Sequence, residues 1–285
     1  KLTSSHKKQE PESGCLYIVG TPIGNLSDLS YRAINVLKNV SQIACEDTRQ
    51  TAKIMSKYNF KNHLISFNKN NSFQKIPSII KKLNEGQSFA LVSDAGMPSI
   101  CDPGEDLIKE ARSNGLPVIC IPGPCAAITA LVTSGLPSSK FIFQGFLPKK
   151  PSERREILLA ISRYENTTII FESPHRLKKL LYELKEYCGG DREIRVSREL
   201  TKRFEQHVGD NVYEVIDFFK DKEVIGEITV VINGINKSNN NLEFDSFEIK
   251  KDLNDLIKAG LTLSAASKYL AKKNNLPKSM IYNLH

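Results

Sequence analysis

Residues 15–26 read CLYIVGTPIGNL, and this stretch decides the fold class. Residues 15–19 form a continuous apolar run with Tyr, Ile and Val, which predicts a short buried strand. Residues 20–26 contain glycine, proline and asparagine, which predict a turn. Apolar residues then recur at helical spacing over residues 28–39, with Ser27 as the predicted N-cap. A strand, a small-residue loop and a helix in this order are typical of an α/β fold.

The same alternation continues along the first half of the chain. Apolar runs predict strands at residues 43–45, 89–92 and 118–121, and periodicity predicts helices at residues 76–84 and 105–113. Gly86 and Gly115 follow these helices, at the position where glycine commonly ends a helix. Because strands alternate with helices, we expect a parallel sheet flanked by helices in a first domain at residues 14–135.

In the second half of the chain the strands follow one another more closely. We expect strands at residues 141–146, 167–171, 193–197, 204–208 and 227–232, and helices at residues 152–163, 175–187 and 211–219. This order predicts a second, mixed α+β domain at residues 136–236. Residues 237–243 are polar and lack apolar anchors, which is typical of a linker.

Residues 244–285 are predicted to form a small unit of three short helices. The apolar positions that would face its core are Ile249, Leu253, Leu256, Ile257, Ala265, Ala266, Tyr269, Leu270, Ile281 and Leu284, with breaks at Gly260 and at residues 275–277. The unit has seven lysines and four acidic residues, a net charge of about +3. It resembles a helix-turn-helix, which would bind nucleic acid. A helical cap or a dimerisation element is an equally good interpretation.

The composition is that of a globular protein of 285 residues, 40% of them hydrophobic. The formal net charge of +8 favours a polyanionic partner, because clustered Lys and Arg gain affinity when counterions leave phosphates. A basic surface that only keeps the protein soluble is the alternative.

The six cysteines lie mostly in apolar runs and form no CxxC pair, which predicts buried free thiols in a reducing cytosol and no metal site. No apolar stretch is long enough to cross a bilayer. Residues 1–13 are polar, which predicts a disordered tail and not a signal peptide. We therefore expect a cytoplasmic protein that does not bind membranes.

Two further predicted strands run into loops of small residues. SDAGMPSICDPG (93–104) follows one, and PGPCAA (122–127) follows the other. Together with residues 20–26, these loops would meet at the carboxyl ends of parallel strands, where α/β proteins bind ligands. None of them matches GxGxxG or GxxxxGK[ST]. They favour a neutral or zwitterionic ligand held by main-chain groups over a polyphosphate, although each loop alone could be an ordinary turn.

Ordered motifs along the chain resemble those of the tetrapyrrole methylase superfamily: GTPIGNLSDLSYRA (20–33), ACEDTR (44–49), SDAGMPSICDPG, PGPCAA, FESPHR (171–176), SRELTKRFEQ (197–206) and GEITVVI (226–232). The resemblance covers about residues 14–233. Within the superfamily, the chain is similar to the branch that methylates the 2′-oxygen of a cytidine in the decoding region of 16S ribosomal RNA. It implies a two-domain α/β fold with S-adenosylmethionine in the cleft between the domains. It also implies a homodimer that acts on 16S rRNA or the small ribosomal subunit.

The resemblance further implies which residues contact the cofactor: Pro22, Asp94, Ala95, Gly96, Met97, Ile100, Cys125, Ala126, Phe171 and Gly226. The family commonly has Thr at position 97, Ser at 125 and Glu at 206, where this chain has Met, Cys and Gln. Met97 and Cys125 replace a hydroxyl by a softer, more apolar sulfur group. Backbone contacts at those positions are unaffected.

Methyl transfer to a ribose needs an aligned acceptor oxygen and a group that takes the hydroxyl proton. The candidates beside the motif loops are Glu46, Asp47, Arg49, Asp94, Glu172, His175, Arg176, Arg198, Glu199 and Lys202. The hypothesis is that Glu172 or Glu199 orients or deprotonates the hydroxyl. Arg49 and Arg176 would grip phosphates, and Asp94 would shape the cofactor loop. A structural ion pair or a helix cap is the alternative for each residue.

The segment PKKPSERR at residues 148–155 is a candidate RNA-backbone contact through Lys149, Lys150, Arg154 and Arg155. A solvated helix start is the alternative.

Two other functions are compatible with parts of this pattern. A methyltransferase for a tetrapyrrole precursor would share the fold and cofactor, but the GTPIGNL loop, the ACEDTR segment and the basic C-terminal unit argue against it. A non-catalytic RNA or DNA binder would not need the three small-residue loops.

Overall fold

The structure is a computed structural model that describes residues 10–235, 246–274 and 278–284. The chain divides into two compact units, Lys1–Gly234 (unit 1) and Ile235–His285 (unit 2). Unit 1 contains two sheets and all the motifs quoted above. The predicted linker at residues 237–243 and the predicted break at 275–277 lie outside the described residues.

The first sheet of unit 1 is parallel throughout. Its elements are β1 (Leu16–Val19), α1 (Tyr31–Asn39), β2 (Gln42–Cys45), α2 (Thr48–Lys57), β3 (Leu64–Ser66), α3 (Ser72–Asn84), β4 (Phe89–Val92), α4 (Glu105–Ser113), β5 (Val118–Ile121) and α5 (Ala126–Ser134). The strands lie in the order β3-β2-β4-β1-β5. The predicted parallel α/β architecture is confirmed.

Helices cover both faces of this sheet, which is why its central strands are uniformly apolar. Side chains alternate along β1: Leu16 and Ile18 pack with α3 and α4 on one face, and Tyr17 and Val19 pack with α1 and α2 on the other. Gly86 and Gly115 follow α3 and α4 with positive φ angles, as predicted.

The start of α1 differs from the prediction. A 3-10 turn at Leu26–Asp28 precedes the helix, and Leu29 is buried before the helix begins. The N-cap is Ser30, whose hydroxyl accepts a hydrogen bond from the Ala33 amide at 3.1 Å. Ser27 is exposed and caps nothing, so its prediction as the cap was wrong.

The sequence analysis did not predict three elements of the first sheet region. Strand β3 has only three residues and lies at the sheet edge. Helix α2 begins within the ACEDTR motif, with Asp47 as its N-cap. Helix α5 packs against two strands of the second sheet, so its sequence AAITALVTS lacks the polar face that marks a surface helix.

The second sheet is mixed, as predicted. Its elements are β6 (Phe141–Phe146), α6 (Pro151–Arg163), β7 (Thr167–Glu172), α7 (Pro174–Cys188), β8 (Ile194–Arg198), β9 (Gln206–Val208), α8 (Val212–Phe219) and β10 (Ile228–Ile232). The order is β6-β7-β10-β8-β9, with β6 and β7 parallel and the other pairs antiparallel. One face packs on α6, α7 and α8. On the other face Ile169 and Val231 contact Ala130 and Leu131 of α5, which joins the two sheets.

Unit 2 consists of α9 (Ser246–Lys258), α10 (Leu263–Asn274) and α11 (Lys278–Tyr282). Its core contains Leu253, Ala266, Leu270, Ala271 and Ile281, and Ile249, Leu256, Ile257 and Leu284 pack against it, in agreement with most of the predicted positions. Tyr269 and Ala265 are exposed, contrary to the prediction, because they lie on the outer face of α10.

Residues 10–13, which the sequence placed in a disordered tail, contact α1 and Gly86, which follows α3. Glu10 forms an ion pair with Arg32, and the Ser13 hydroxyl donates to the Gly86 carbonyl at 2.7 Å.

The six cysteines are free. Cys15 and Cys45 are buried as expected, and burial raises the pKa of Cys15 to about 11. Cys101 and Cys120 are exposed, which corrects the expectation of buried thiols. Among the described residues, no helix is both long and apolar enough to cross a membrane.

The two serines at the start of α1 allow a direct test of the cap. We expect Ser30→Ala to lower the free energy of unfolding by about 1 kcal/mol, because the Ala33 amide loses its acceptor. Ser27→Ala is the matched control and should change stability by less than about 0.5 kcal/mol. Urea unfolding measures both; equal effects would contradict the cap assignment.

Candidate functional site

A cavity of about 500 Å³ lies between the two sheets of unit 1. Its walls from the first sheet are Ile23 and the loops that follow β4 and β5. Its walls from the second sheet are the ends of β6 and β7 and the start of β10, which pairs with the end of β7. The three small-residue loops therefore meet at one site, and its volume is typical of a small-molecule pocket.

Except for Pro22, all the residues predicted to contact the cofactor line this cavity: Asp94, Ala95, Gly96, Met97, Ile100, Cys125, Ala126, Phe171 and Gly226. Pro22 is buried beside it, and its neighbour Ile23 forms the wall instead. Of the catalytic candidates, Glu46 and Glu172 also line the cavity.

Glu227, Ile228 and Thr229, which directly follow the predicted Gly226, line the cavity too. Sequence reasoning missed other lining residues: Ile23, Cys101, Asp102, Phe146, Ser173, Pro174 and Leu200. Cys101 and Asp102 stand in the quoted loop 93–104 and could have been found there. Phe146 and Leu200 belong to the second sheet region and reach the cavity only through the packing of the sheets, which no local pattern reveals.

Close backbone contacts hold the walls together. A Cβ on Gly20 would lie 2.7 Å from the Gly123 Cα, so the loops after β1 and β5 touch through two glycines. A Cβ on Gly24 would lie 2.9 Å from the Leu200 carbonyl oxygen, which joins the first loop to the segment after β8. The loops of both sheets therefore depend on glycine at these positions.

The cavity is acidic. Its lining includes the carboxylates of Glu46, Asp94, Asp102, Glu172 and Glu227, and no lysine or arginine is among its described lining residues. Burial raises the pKa of Glu46, and the negative charges of Asp102 and Asp94 raise it further. Burial also raises the pKa of Asp102. Such a lining favours a cationic ligand and opposes a polyphosphate.

Glu172 lies at the end of β7, where its side chain is fully buried and held by two arginines. One carboxylate oxygen accepts a hydrogen bond from the Ser173 amide at 2.8 Å and lies 3.4 Å from Arg176 Nε. The other lies 3.3 Å from Arg154 Nη2. Because its oxygens already have cationic partners, the structure favours a positioning role for Glu172 over the role of a base.

Arg154 and Arg176 do not face outward as an RNA patch requires. Arg154 is 3% exposed and also pairs with Glu183. Arg176 donates to the Leu147 and Pro148 carbonyls, which fixes the segment after β6. Their placement argues against the predicted phosphate contacts. Lys149, Lys150 and Arg155 are exposed.

Glu199 does not line the cavity and forms part of its frame. Its carboxylate accepts hydrogen bonds from Lys202 Nζ and the Glu227 amide, both at 2.9 Å. Burial alone would raise the pKa of Glu199, but these hydrogen bonds and the charges of Lys202 and Arg198 outweigh it and lower the pKa. Arg198 itself donates to Gln206 and to the Ile225 carbonyl. A carboxylate with a lowered pKa that already accepts two hydrogen bonds is a weak base, so this geometry argues against Glu199 as the proton acceptor.

Asp47, Arg49 and Asp94 lie together at the start of α2. Hydrogen bonds from the Arg49 side chain and amide lower the pKa of Asp47 to about 2. The Asp47 amide donates to Asp94 at 2.9 Å, which fastens the cofactor loop to α2. The Arg49 side chain is 86% exposed and accessible to a phosphate. His175 is exposed on the first turn of α7.

The buried arginine and its exposed neighbour form a matched pair for mutation. We expect Arg154→Leu to lower the free energy of unfolding by about 3–5 kcal/mol, because it leaves the buried Glu172 with one partner fewer. Arg155→Leu should cost less than about 0.5 kcal/mol. Similar unfolding midpoints in urea for both variants would show that the ion pair of Arg154 with Glu172 contributes nothing to the free energy of unfolding.

A family model described as Tetrapyrrole (Corrin/Porphyrin) Methylases matches residues 15–216. A Bacillus subtilis protein named Ribosomal RNA small subunit methyltransferase I is 39% identical over 277 residues, which are 96% of this chain and 94% of that protein. A Thermotoga maritima protein of the same name is 45% identical over 221 residues, which are 78% of this chain and 99% of that protein.

Solved structures share the fold. Cobalt precorrin-4 methyltransferase superposes with a TM-score of 0.60 at 14% identity, covering 77% of this chain and 95% of that one. Uroporphyrin-III C-methyltransferase from Thermus thermophilus, solved with S-adenosylhomocysteine, gives a TM-score of 0.53 at 15% identity, covering 76% and 96%. By the extent of these matches, the chain belongs to the tetrapyrrole methylase family and, within it, to the group of ribosomal RNA small subunit methyltransferase I proteins.

Proposed function

We propose that this protein transfers a methyl group from S-adenosylmethionine to a ribose 2′-hydroxyl of small-subunit ribosomal RNA, on a cytidine of the 16S decoding region. The names of its relatives support rRNA as the substrate. The observation that carries the proposal is the acidic cavity formed by the three small-residue loops. We also infer a cytoplasmic homodimer, in line with the family resemblance.

The residues present fit S-adenosylmethionine. The cofactor carries a sulfonium cation, which the carboxylates of the cavity complement. Ala95 and Ala126 have small side chains that leave room for main-chain contacts, and Ile23 and Phe171 offer apolar surface to the nucleoside. Met97 and Cys125 keep these contacts but supply no hydroxyl.

When bound, the cofactor supplies an electrophilic methyl group, and the protein must align the acceptor and remove its proton. Arg154 and Arg176 fix Glu172, so the cavity wall formed by residues 172–174 would hold a defined position against the substrate. Glu199 and Lys202 would hold Gly226 and Glu227 in place at the adjacent start of β10.

The basic loop after β6 is the best-placed RNA contact on unit 1. Phe146 lines the cavity, and Lys149 and Lys150 follow it within a few residues. Both lysines are exposed, although Lys150 also pairs with Glu153 at 2.8 Å. We propose that Lys149, Lys150 and Arg155 bind the phosphate backbone, together with Arg49 beside the cavity.

Unit 2 would add affinity for RNA without taking part in the chemistry. The Thermotoga relative carries the same name although it matches only 78% of this chain over 99% of its own length, so a protein of that name can be shorter than this chain. On α10, exposed Lys268 and Lys272 flank Tyr269, which is 57% exposed. Lysines beside an exposed aromatic ring suit phosphates and a stacked base.

The decisive experiment incubates the purified protein with methyl-labelled S-adenosylmethionine and small subunits from cells that lack this modification. We expect label on the 2′-oxygen of one decoding-region cytidine, mapped by nuclease digestion and mass spectrometry. Cofactor binding without label on RNA would instead favour a small-molecule acceptor, and loss of both would favour a binding protein.

Neutralising the loop after β6 should weaken RNA binding and reduce its salt dependence. For the double variant Lys149→Ala/Lys150→Ala we expect the slope of log K against log salt to fall by about 0.7–0.9 for each phosphate that the loop no longer neutralises. Lys57→Ala/Lys61→Ala is the control, since the end of α2 lies at the opposite edge of the sheet. Filter binding at several salt concentrations measures the slopes; an unchanged slope removes the loop from the RNA site.

A further inference from the structure

The reaction proposed above requires a proton acceptor, and the cavity offers several carboxylates. An acceptor needs an oxygen that can take a hydrogen bond from the incoming hydroxyl, so it must not already be saturated by donors. The contacts of each lining carboxylate therefore distinguish the candidates: Glu46, Asp94, Asp102, Glu172 and Glu227.

Most of them already have partners. Glu172 is held by two arginines and the Ser173 amide. Glu227 accepts a hydrogen bond from Lys202 at 2.8 Å. Asp94 accepts one from the Asp47 amide at 2.9 Å, which commits it to the cofactor loop. Asp102 has the Ser93 hydroxyl as its hydrogen-bond partner.

Glu46 differs from the others. It follows the last residue of β2, at the carboxyl edge of the sheet where the small-residue loops meet, and its half-buried side chain lines the cavity. Among the described residues, the structure contains no hydrogen bond or ion pair to its carboxylate. Its oxygens are available to a substrate.

From this geometry we propose that Glu46 accepts the proton of the ribose 2′-hydroxyl during methyl transfer. The inference rests on the proposed function. The 2′-oxygen forms a bond to the methyl carbon as the carbon–sulfur bond breaks, and the electron pair of that bond stays on sulfur, giving S-adenosylhomocysteine. The hydroxyl proton moves to the Glu46 carboxylate and then to solvent.

The surroundings of Glu46 suit this role. Burial raises its pKa, and the negative charges of Asp102, Asp94 and Asp47 act in the same direction, whereas Lys69 lowers it. A raised pKa makes a carboxylate a stronger base near neutral pH. Because only the ionised form accepts a proton, the rate should rise with pH through the pKa of Glu46.

The test compares Glu46→Gln with wild type in single-turnover methylation of small subunits at saturating cofactor. We expect a rate loss of about 100-fold or more, with loss of the acidic limb of the pH profile. Calorimetry should show a dissociation constant for S-adenosylmethionine within about threefold of wild type. Glu186→Gln, an exposed glutamate on α7, is the matched control and should retain the wild-type rate.

A second readout does not depend on turnover. In a carbon-13 NMR titration of the wild type, the Glu46 carboxylate signal is assigned as the one that is missing from the Glu46→Gln spectrum. We expect this signal to titrate with a pKa above the ordinary glutamate value. Its midpoint should fall in Asp102→Asn, because a repelling charge is removed.

Several results would overturn the proposal. One is a near-normal rate in Glu46→Gln while wild type methylates RNA; another is loss of cofactor binding with a normal rate at saturation, which would make Glu46 a cofactor ligand. A rate loss in Asp102→Asn alone would assign the proton to Asp102. Absence of RNA methylation by wild type would instead refute the proposed function, and this inference with it.

Discussion

The contact between Gly20 and Gly123 is the constraint on which the rest of the site depends. A side chain at either position would meet the backbone of the other loop, so the ends of β1 and β5 can approach only through two glycines. Gly24 makes a similar contact with Leu200 beyond β8, and α5 packs on β7 and β10. The contact of Gly24 with Leu200 and the packing of α5 join the parallel and the mixed sheet into one unit, and the cavity is the space that remains between them.

Charge is separated between the inside and the outside of unit 1. The cavity is lined by carboxylates, whereas the net charge of the chain is +8. Arg154 and Arg176, which do not line the cavity, form ion pairs with Glu172. Lys202 pairs with both Glu199 and Glu227. An acidic interior suits a sulfonium cofactor, and a basic exterior suits RNA. The carboxylate-lined cavity and the exposed basic residues Lys149, Lys150 and Arg155 therefore differ in charge within unit 1.

Membership of a sequence motif does not specify the hydrogen bonds and ion pairs of a carboxylate. Glu172 and Glu199 both stand in quoted motifs, yet both oxygens of Glu172 and one oxygen of Glu199 already have cationic or amide partners. Glu46 belongs to the ACEDTR motif and has no such partner among the described residues. Arg154 lies in a basic run but points inward, since it is on the face of α6 that packs against the second sheet.

The sequence alone determined most of the strands and helices, the parallel character of the first sheet and the three small-residue loops, because apolar periodicity and loop composition are local signals. The motifs also identified the family. Helix α5, Phe146, Leu200 and the partners of Glu172 could not be predicted in this way. They depend on the packing of one sheet against the other, where burial and ion pairing are decided by residues far apart in the chain. Whether a carboxylate has hydrogen-bond and ion-pair partners, as Glu172 does, is therefore a property of the tertiary structure.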